Sequence, residues 1–321
     1  MDLSIAYWKS RAFLVGVELG LFRILGSEGL PLALLAEKVN IPPARLKPLV
    51  RALVELDCLK IDDITGDVVL TPISQIFLNP QSPACMEGAF MYASQMFPLW
   101  GQLGQRLISG AGQQMTPSKT DTPAFLQGMH QRASMLAPAV LPLLSLPQNA
   151  QVLDVAAGAG SWSLALSRRQ HLHCTLLEQQ ELALAMENFI ASQGLKTFKA
   201  LGADYHVYES PQNYDAVLFF GALHQEPAER LHAVLTRLFS WVKVGGQLLI
   251  LDIFASGESK SDLFAWCFGL NMLLTTEGSV FTTQEVREAC KTLKGVGDIA
   301  IQRVPIDLPY HVLSVQKVGA S

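Results

Sequence analysis

The sequence predicts an α/β protein in which a doubly wound parallel sheet occupies the C-terminal half and a smaller, mostly helical domain precedes it. Three observations predict this. From Val152 onward, apolar runs of strand length alternate with amphipathic segments of helix length, the pattern of a parallel sheet with crossover helices. At the head of that alternation, residues 151–163 read Gln-Val-Leu-Asp-Val-Ala-Ala-Gly-Ala-Gly-Ser-Trp-Ser, which is a strand, a turn almost free of side chains and a helix start. Before it, the chain is dominated by helical spacing, and Pro147 marks the change, so the domains are expected at 1–146 and 147–321.

In order, residues 3–25 carry apolar side chains on more than one face, so a helix there needs cover on both sides, and a second chain is the expected cover. Residues 31–39, a turn at 40–43, a helix over 44–59 and a hairpin at Thr65-Gly66-Asp67 follow, in the order of a winged helix-turn-helix. A DNA reader needs a basic footprint. Over 41–63, four basic residues (Arg45, Lys47, Arg51, Lys60) meet four acidic ones (Glu55, Asp57, Asp62, Asp63), so the domain is read as structural and dimerising. Residues 86–109 are rich in Met and aromatics at helical spacing, which suits helix packing and equally an adaptable wall for an apolar ligand. A polar loop over 110–123 leads to a helix over 122–145, on which His130 is read as a polar-face residue.

The second half gives strands at 152–155, 173–177, 197–200, 215–220 and 247–253, with helices at 161–168, 180–193 and 227–242 between them. Ligands of such sheets bind at the carboxyl ends of the strands. Gly158 and Gly160 let backbone N–H groups and a helix N-terminus approach a ligand closely. The dinucleotide fingerprint would place a third glycine at 163, where Ser stands, and Asp154 before the turn suits an amine-bearing ligand better than a pyrophosphate. Glu178, ending the second strand, is either an ordinary strand-end acid or an acceptor for two ribose hydroxyls. Asp204 and Tyr205 follow the third strand; an Asp near a Gly is also ordinary turn chemistry. His224 is the first polar side chain after the buried strand 215–220, where a base belongs, and Asp252 or Glu277 is the carboxylate expected to orient it. Thr282 or Thr283 starts a last helix, and the runs 299–304 and 310–316 finish the sheet as an antiparallel pair.

Half of the 321 residues are hydrophobic, 16% are charged and the net charge is −4, which gives no field to attract nucleic acid or an anionic membrane. The five cysteines are isolated, with neither zinc nor disulfide spacing. No signal-peptide pattern or 18-residue apolar run occurs, so a cytoplasmic protein is expected.

The stretch Val-Leu-Asp-Val-Ala-Ala-Gly-Ala-Gly resembles the first motif of class I S-adenosylmethionine-dependent methyltransferases. More narrowly, the whole chain resembles the O-methyltransferases with an N-terminal winged-helix dimerisation domain, such as the caffeate and hydroxyindole enzymes and bacterial natural-product enzymes. The resemblance implies a Rossmann-like catalytic domain, a homodimer, S-adenosylmethionine as cofactor and no metal. It implies cofactor contacts from Asp154, Ala156, Gly158, Gly160, Glu178, Gln179, Gly202, Asp204, Tyr205 and Phe220. His224 falls on the family's catalytic His, with Asp252 and Glu277 as acidic partners, and Tyr92, Met96, Phe97, Phe125 and Met129 are implied to wall the acceptor pocket. The chain departs from the family at four places: Ala156 stands for a common Gly, Gln225 for the Asp after His224, Glu226 for an aromatic, and Val280 for the usual acid. The expected activity is methylation of a hydroxyl on a small, largely apolar phenolic, enolic or polyketide-like metabolite. Carbon or nitrogen methylation is the alternative, and a non-catalytic, cofactor-binding regulator is the reading from another class.

Overall fold

The structure, a computed structural model, describes residues 3–110, 122–192, 194–257 and 262–319. The chain divides into two compact units, Met1–Gln102 and Leu103–Ser321. The units part earlier than the proline signal at 147 suggests. Helix 103–109 falls in the second unit, and helix 122–140 belongs with the sheet, because Val140 packs in the core beside Val152 and Leu172, and His130 bonds to Ser161.

The first unit contains α1 (Tyr7–Glu18), α2 (Leu21–Leu25), α3 (Leu32–Lys38), α4 (Pro43–Glu55), the hairpin β1 (Leu59–Ile61) and β2 (Val68–Leu70), α5 (Pro72–Phe77) and α6 (Glu87–Trp100). The single helix expected over 3–25 is broken at Gly20, whose left-handed φ of 65° ends α1 and lets α2 turn away. Its inward residues Val17, Leu21 and Phe22 pack with Leu35, Leu46 and Leu53, while Leu3, Tyr7 and Trp8 are 91%, 55% and 57% exposed.

The second unit begins with α7 (Leu103–Ser109) and α8 (Thr122–Val140) and continues β3 (Ala150–Val155), α9 (Ser161–Ser167), β4 (Leu172–Glu178), α10 (Gln180–Ser192), β5 (Phe198–Gly202), β6 (Tyr214–Phe220), α11 (Leu231–Ser240) and β7 (Val242–Ile253). It ends with α12 (Leu263–Thr275), α13 (Thr283–Lys291), β8 (Val296–Arg303) and β9 (Tyr310–Lys317). The seven strands lie in the order β5-β4-β3-β6-β7-β9-β8, parallel through β7 and antiparallel for β9 and β8. The switch point falls between β3 and β6, and the carboxyl ends of β3, β4, β5 and β6 share one edge.

Successive strand residues alternate between two cores. Leu153, Val155, Val217 and Phe219 face α11 and α13, whereas Val152, Leu176 and Leu218 face α9 and α10. α13 begins with the expected Thr282, whose side chain accepts from Glu285 N–H while Glu285 accepts from the Thr282 backbone.

Candidate active site

The turn after β3 is built by backbone geometry. Ala156 sits at φ 54° and Gly160 at φ 68°, and a Cβ at Gly160 would also lie 2.6 Å from Leu176 Cδ1, so only glycine serves there. At Ala156 the left-handed conformation accounts for the family's glycine, and the methyl group is accommodated at a cost of about 1 kcal/mol. Gly158 N–H donates to Glu178 Oε2 at 2.8 Å, and Gln179 N–H donates to Oε1 at 2.8 Å. These bonds fasten the turn to the end of β4 and hold the half-buried Glu178 carboxylate at the strand edge. Burial nonetheless raises the Glu178 pKa against the lowering pull of those two N–H groups. A Cβ at Gly158 would meet nothing within 4 Å, so the turn leaves open space there.

Asp154 is placed differently from the expectation of a ligand-facing acid. It is buried, and Ser163 Oγ donates to it at 2.6 Å from the first turns of α9. Burial, with Glu178 nearby, pushes its pKa up to about 7. Ser163 stands where a dinucleotide fingerprint would have glycine, and its hydroxyl is what ties α9 to the strand.

After β5, Asp204 is exposed, and its Oδ1 receives both the backbone N–H and ring Nδ1 of His206, at 2.9 and 2.8 Å. Those hydrogen bonds hold its pKa below the usual carboxylate range. The Tyr205 ring lies stacked on His206 at 4.2 Å and edge-on to Phe219 at 5.4 Å, and its hydroxyl donates to Glu226. Gly202 lies close under α10: a Cβ there would have to push the end of the Gln180 side chain aside and would lie 3.1 Å from Ala183 Cβ. Phe220 is buried edge-on to Trp162 at 5.5 Å, and Gln179 is exposed.

Beyond the switch point, β6 runs out through Gly221 into one 3₁₀ turn, Leu223–Gln225. His224 Nδ1 lies 2.8 Å from Asp252 Oδ1 at the end of β7, and His224 N–H donates to Asp252 Oδ2 at 3.1 Å. Asp252 is buried and accepts as well from Ile253 N–H, so it cannot turn away. With Nδ1 donating to the carboxylate, Nε2 keeps its lone pair for a proton. Asp252, not Glu277, is thus the carboxylate bonded to His224; Glu277 is exposed just beyond α12.

Two neighbours of His224 escaped the sequence reading. Phe268, on α12, stands edge-on to the imidazole at 4.9 Å and parallel to Phe264. Gly278 is pressed on the base loop, where a Cβ would lie 2.7 Å from Gln225 Cα and collide with the His224 carbonyl. His130 is a third. Its Nδ1 lies 2.8 Å from Ser161 Oγ at the start of α9, and burial, aided by Arg168, lowers its pKa.

The residues expected to wall an acceptor fall in both compact units. In the first, Met96 is buried, Tyr92 is partly exposed, and the Phe97 ring packs with Tyr7 at 6.4 Å and under Arg11 at 5.0 Å. In the second, Met129 is half-buried, and the Phe125 side chain lies outside the described residues. No cluster of metal-ligating side chains occurs among the described residues.

A seven-stranded sheet of this order, with a glycine turn after β3, an acid closing β4 and a His–Asp pair across the switch point, defines a methyltransferase of the doubly wound class. The O-methyltransferase domain family model matches residues 108–295, more than half of the chain, and the chain belongs to that family. It is 25% identical over 301 residues to the tetracenomycin polyketide synthesis 8-O-methyltransferase of Streptomyces glaucescens, covering 89% of this chain and 87% of that protein. It is 24% identical over 295 residues to the 3-hydroxy-5-methyl-1-naphthoate 3-O-methyltransferase of Streptomyces sahachiroi, covering 88% and 85%. Among solved structures, human N-acetylserotonin methyltransferase in complex with S-adenosylmethionine superposes with a TM-score of 0.84 at 20% identity, covering 99% of this chain and 96% of that one.

Proposed function

We propose that the protein transfers a methyl group from S-adenosylmethionine to a hydroxyl of a small, largely apolar phenolic or polyketide-like acceptor, with His224 as general base. The observation that carries this reading is the His224–Asp252 pair at the strand edge that also bears the glycine turn and Glu178. The residues present fit the cofactor. Gly158 leaves room for close approach, Glu178 retains lone pairs for ribose hydroxyls, and the exposed Asp204 supplies an acceptor for an amino group. When bound, S-adenosylmethionine supplies an electrophilic methyl group on a sulfonium.

The chain's residues handle the proton. His224 Nε2 accepts it as the acceptor oxygen becomes nucleophilic, and Asp252 holds the ring's orientation and balances the charge it gains. Proton transfer of this kind contributes about 10²- to 10⁴-fold. Burial of Asp252 keeps this balancing charge close and fixed.

The first unit is proposed to be a winged-helix dimerisation domain. Its exposed Leu3, Tyr7 and Trp8, with Ile73 and Ile76, supply apolar surface that a second copy of the chain would cover. The soluble cell interior is the proposed location; among the described residues no helix is long and apolar enough to cross a membrane.

Calorimetric titration with S-adenosylmethionine and S-adenosylhomocysteine, on wild type and Glu178→Ala, tests the cofactor assignment. Micromolar binding, about −8 kcal/mol, lost in the variant, is expected. Labelled-methyl transfer to phenolic acceptors then separates oxygen from carbon and nitrogen products. Absence of binding to the wild type would sink the reading.

A further inference from the structure

The loop that carries His224 is held from three sides, and only two of them belong to the base and its carboxylate neighbourhood. Asp252 holds the imidazole, and Gly278 abuts the backbone of His224 and Gln225. The third hold is Glu226, two residues past the base. Its carboxylate is buried, and nothing in the proton transfer uses it. Oε1 receives the Tyr205 hydroxyl and His206 Nε2, the latter at 2.9 Å, while Oε2 is buried without a partner.

On its other side the His206 ring meets Asp204 Oδ1 at 2.8 Å. Ionised carboxylates only accept, so both bonds exist together when each ring nitrogen carries a proton. The result is a continuous chain from Asp204 through His206 to Glu226, with the Tyr205 ring stacked against its middle. Burial and the neighbouring Glu226 raise the Tyr205 pKa, which keeps the hydroxyl a donor to the carboxylate. The segment is anchored in turn by Arg237 of α11, which donates to Tyr208 O at 2.9 Å and pairs with Glu209 at 2.8 Å.

A buried carboxylate with one unpartnered oxygen is costly and gives a poor account of stability alone. Its placement does account for something else: it is the one polar link, among the described contacts, between the loop after β5 and the loop after β6. We propose that Glu226 is a positioning residue that, through His206 and Tyr205, locks the loop bearing His224 to the loop expected to hold the cofactor's base. The two loops then respond together, so that filling the cofactor site sets the orientation of the imidazole. This deepens, and for its functional meaning rests on, the methyl-transfer reading.

The test uses the full chain labelled with ¹⁵N at histidine. Two-bond ¹H–¹⁵N spectra report the tautomer of each imidazole, and the H224Q and H206Q variants assign the signals. In the wild type, His224 is expected as a single Nδ1–H tautomer whose signal shifts on adding S-adenosylhomocysteine. In E226Q, which keeps the shape and the Tyr205 bond but removes the charge, the His224 signal is expected to broaden or show both tautomers and to lose most of that shift. Once an acceptor is in hand, kcat is expected to fall about ten- to a hundredfold, as for a misplaced catalytic group, with the KM for S-adenosylmethionine within about twofold. Should E226Q not fold, as judged by circular dichroism, Y205F removes one of the two bonds and is expected to move His224 the same way by less. A His224 spectrum in the folded variant identical to the wild type, with and without S-adenosylhomocysteine, overturns the proposal. A wild type that does not bind S-adenosylhomocysteine defeats the methyl-transfer reading instead, while the ligand-free spectra still decide whether Glu226 positions His224.

Discussion

The two halves of the site, on either side of the switch point, are assembled by different means. On the β3–β5 side, the parts are local and mostly backbone: a left-handed turn, N–H groups on Glu178, and a buried Asp154 tied nine residues on to Ser163. On the β6–β7 side, side chains converge from distant stretches, with His224 fixed by Asp252 28 residues away, faced by Phe268 and pressed by Gly278. The comparison teaches that the side proposed for the cofactor is written into a short motif, whereas the side proposed for the reaction is written into the tertiary fold.

The largest effect that would sharpen this contrast lies on the reaction side. His224→Ala is expected to lower turnover about 10²- to 10⁴-fold while leaving calorimetric cofactor affinity within a few-fold. Asp252→Asn should approach it, because an amide N–H facing Nδ1 favours the tautomer whose Nε2 is already protonated. Equal losses in turnover and cofactor affinity would break the division between the halves.

A smaller effect lies on the cofactor side and is read from stability. Burial raises Asp154 from 3.8 to about 7, so the native state prefers the protonated acid. The stabilisation is complete below the unfolded value and declines as pH rises, because the unfolded chain ionises first; it is lost once pH passes about 7. Between about pH 5.5 and pH 8, urea unfolding of the cofactor-free wild type should therefore lose on the order of 2 kcal/mol. Asp154→Asn should lack that loss; parallel pH slopes in the two proteins would contradict the buried, protonated acid.

The smallest effect is Ala156→Gly. Relief of the left-handed strain, about 1 kcal/mol, exceeds the extra chain entropy of glycine only slightly, so a gain of at most about 0.5 kcal/mol is expected in the same assay. A loss would mean that the methyl group packs usefully.

Legibility in the sequence follows the same division. The parallel strands, the glycine turn, Glu178 and the cap at Thr282 are local patterns, and they lie where periodicity and spacing put them. α12 was not anticipated, because it is apolar on nearly every side and so lacks the contrast between faces that marks a surface helix. The position of Asp154 against Ser163, the His206–Glu226 link and the approach of Gly278 depend on contacts that no spacing announces. His224 was readable as a polar residue ending a buried strand, yet the choice between Asp252 and Glu277 needed coordinates.

Gly278 has a consequence for anyone who would retool the enzyme. α12 stands before it with Phe268 against His224, and the segment's seat on the loop that carries His224 leaves no room for a side chain. Any exchange of residues 263–277 would therefore have to keep this one glycine as its fixed peg, or displace the loop that carries His224.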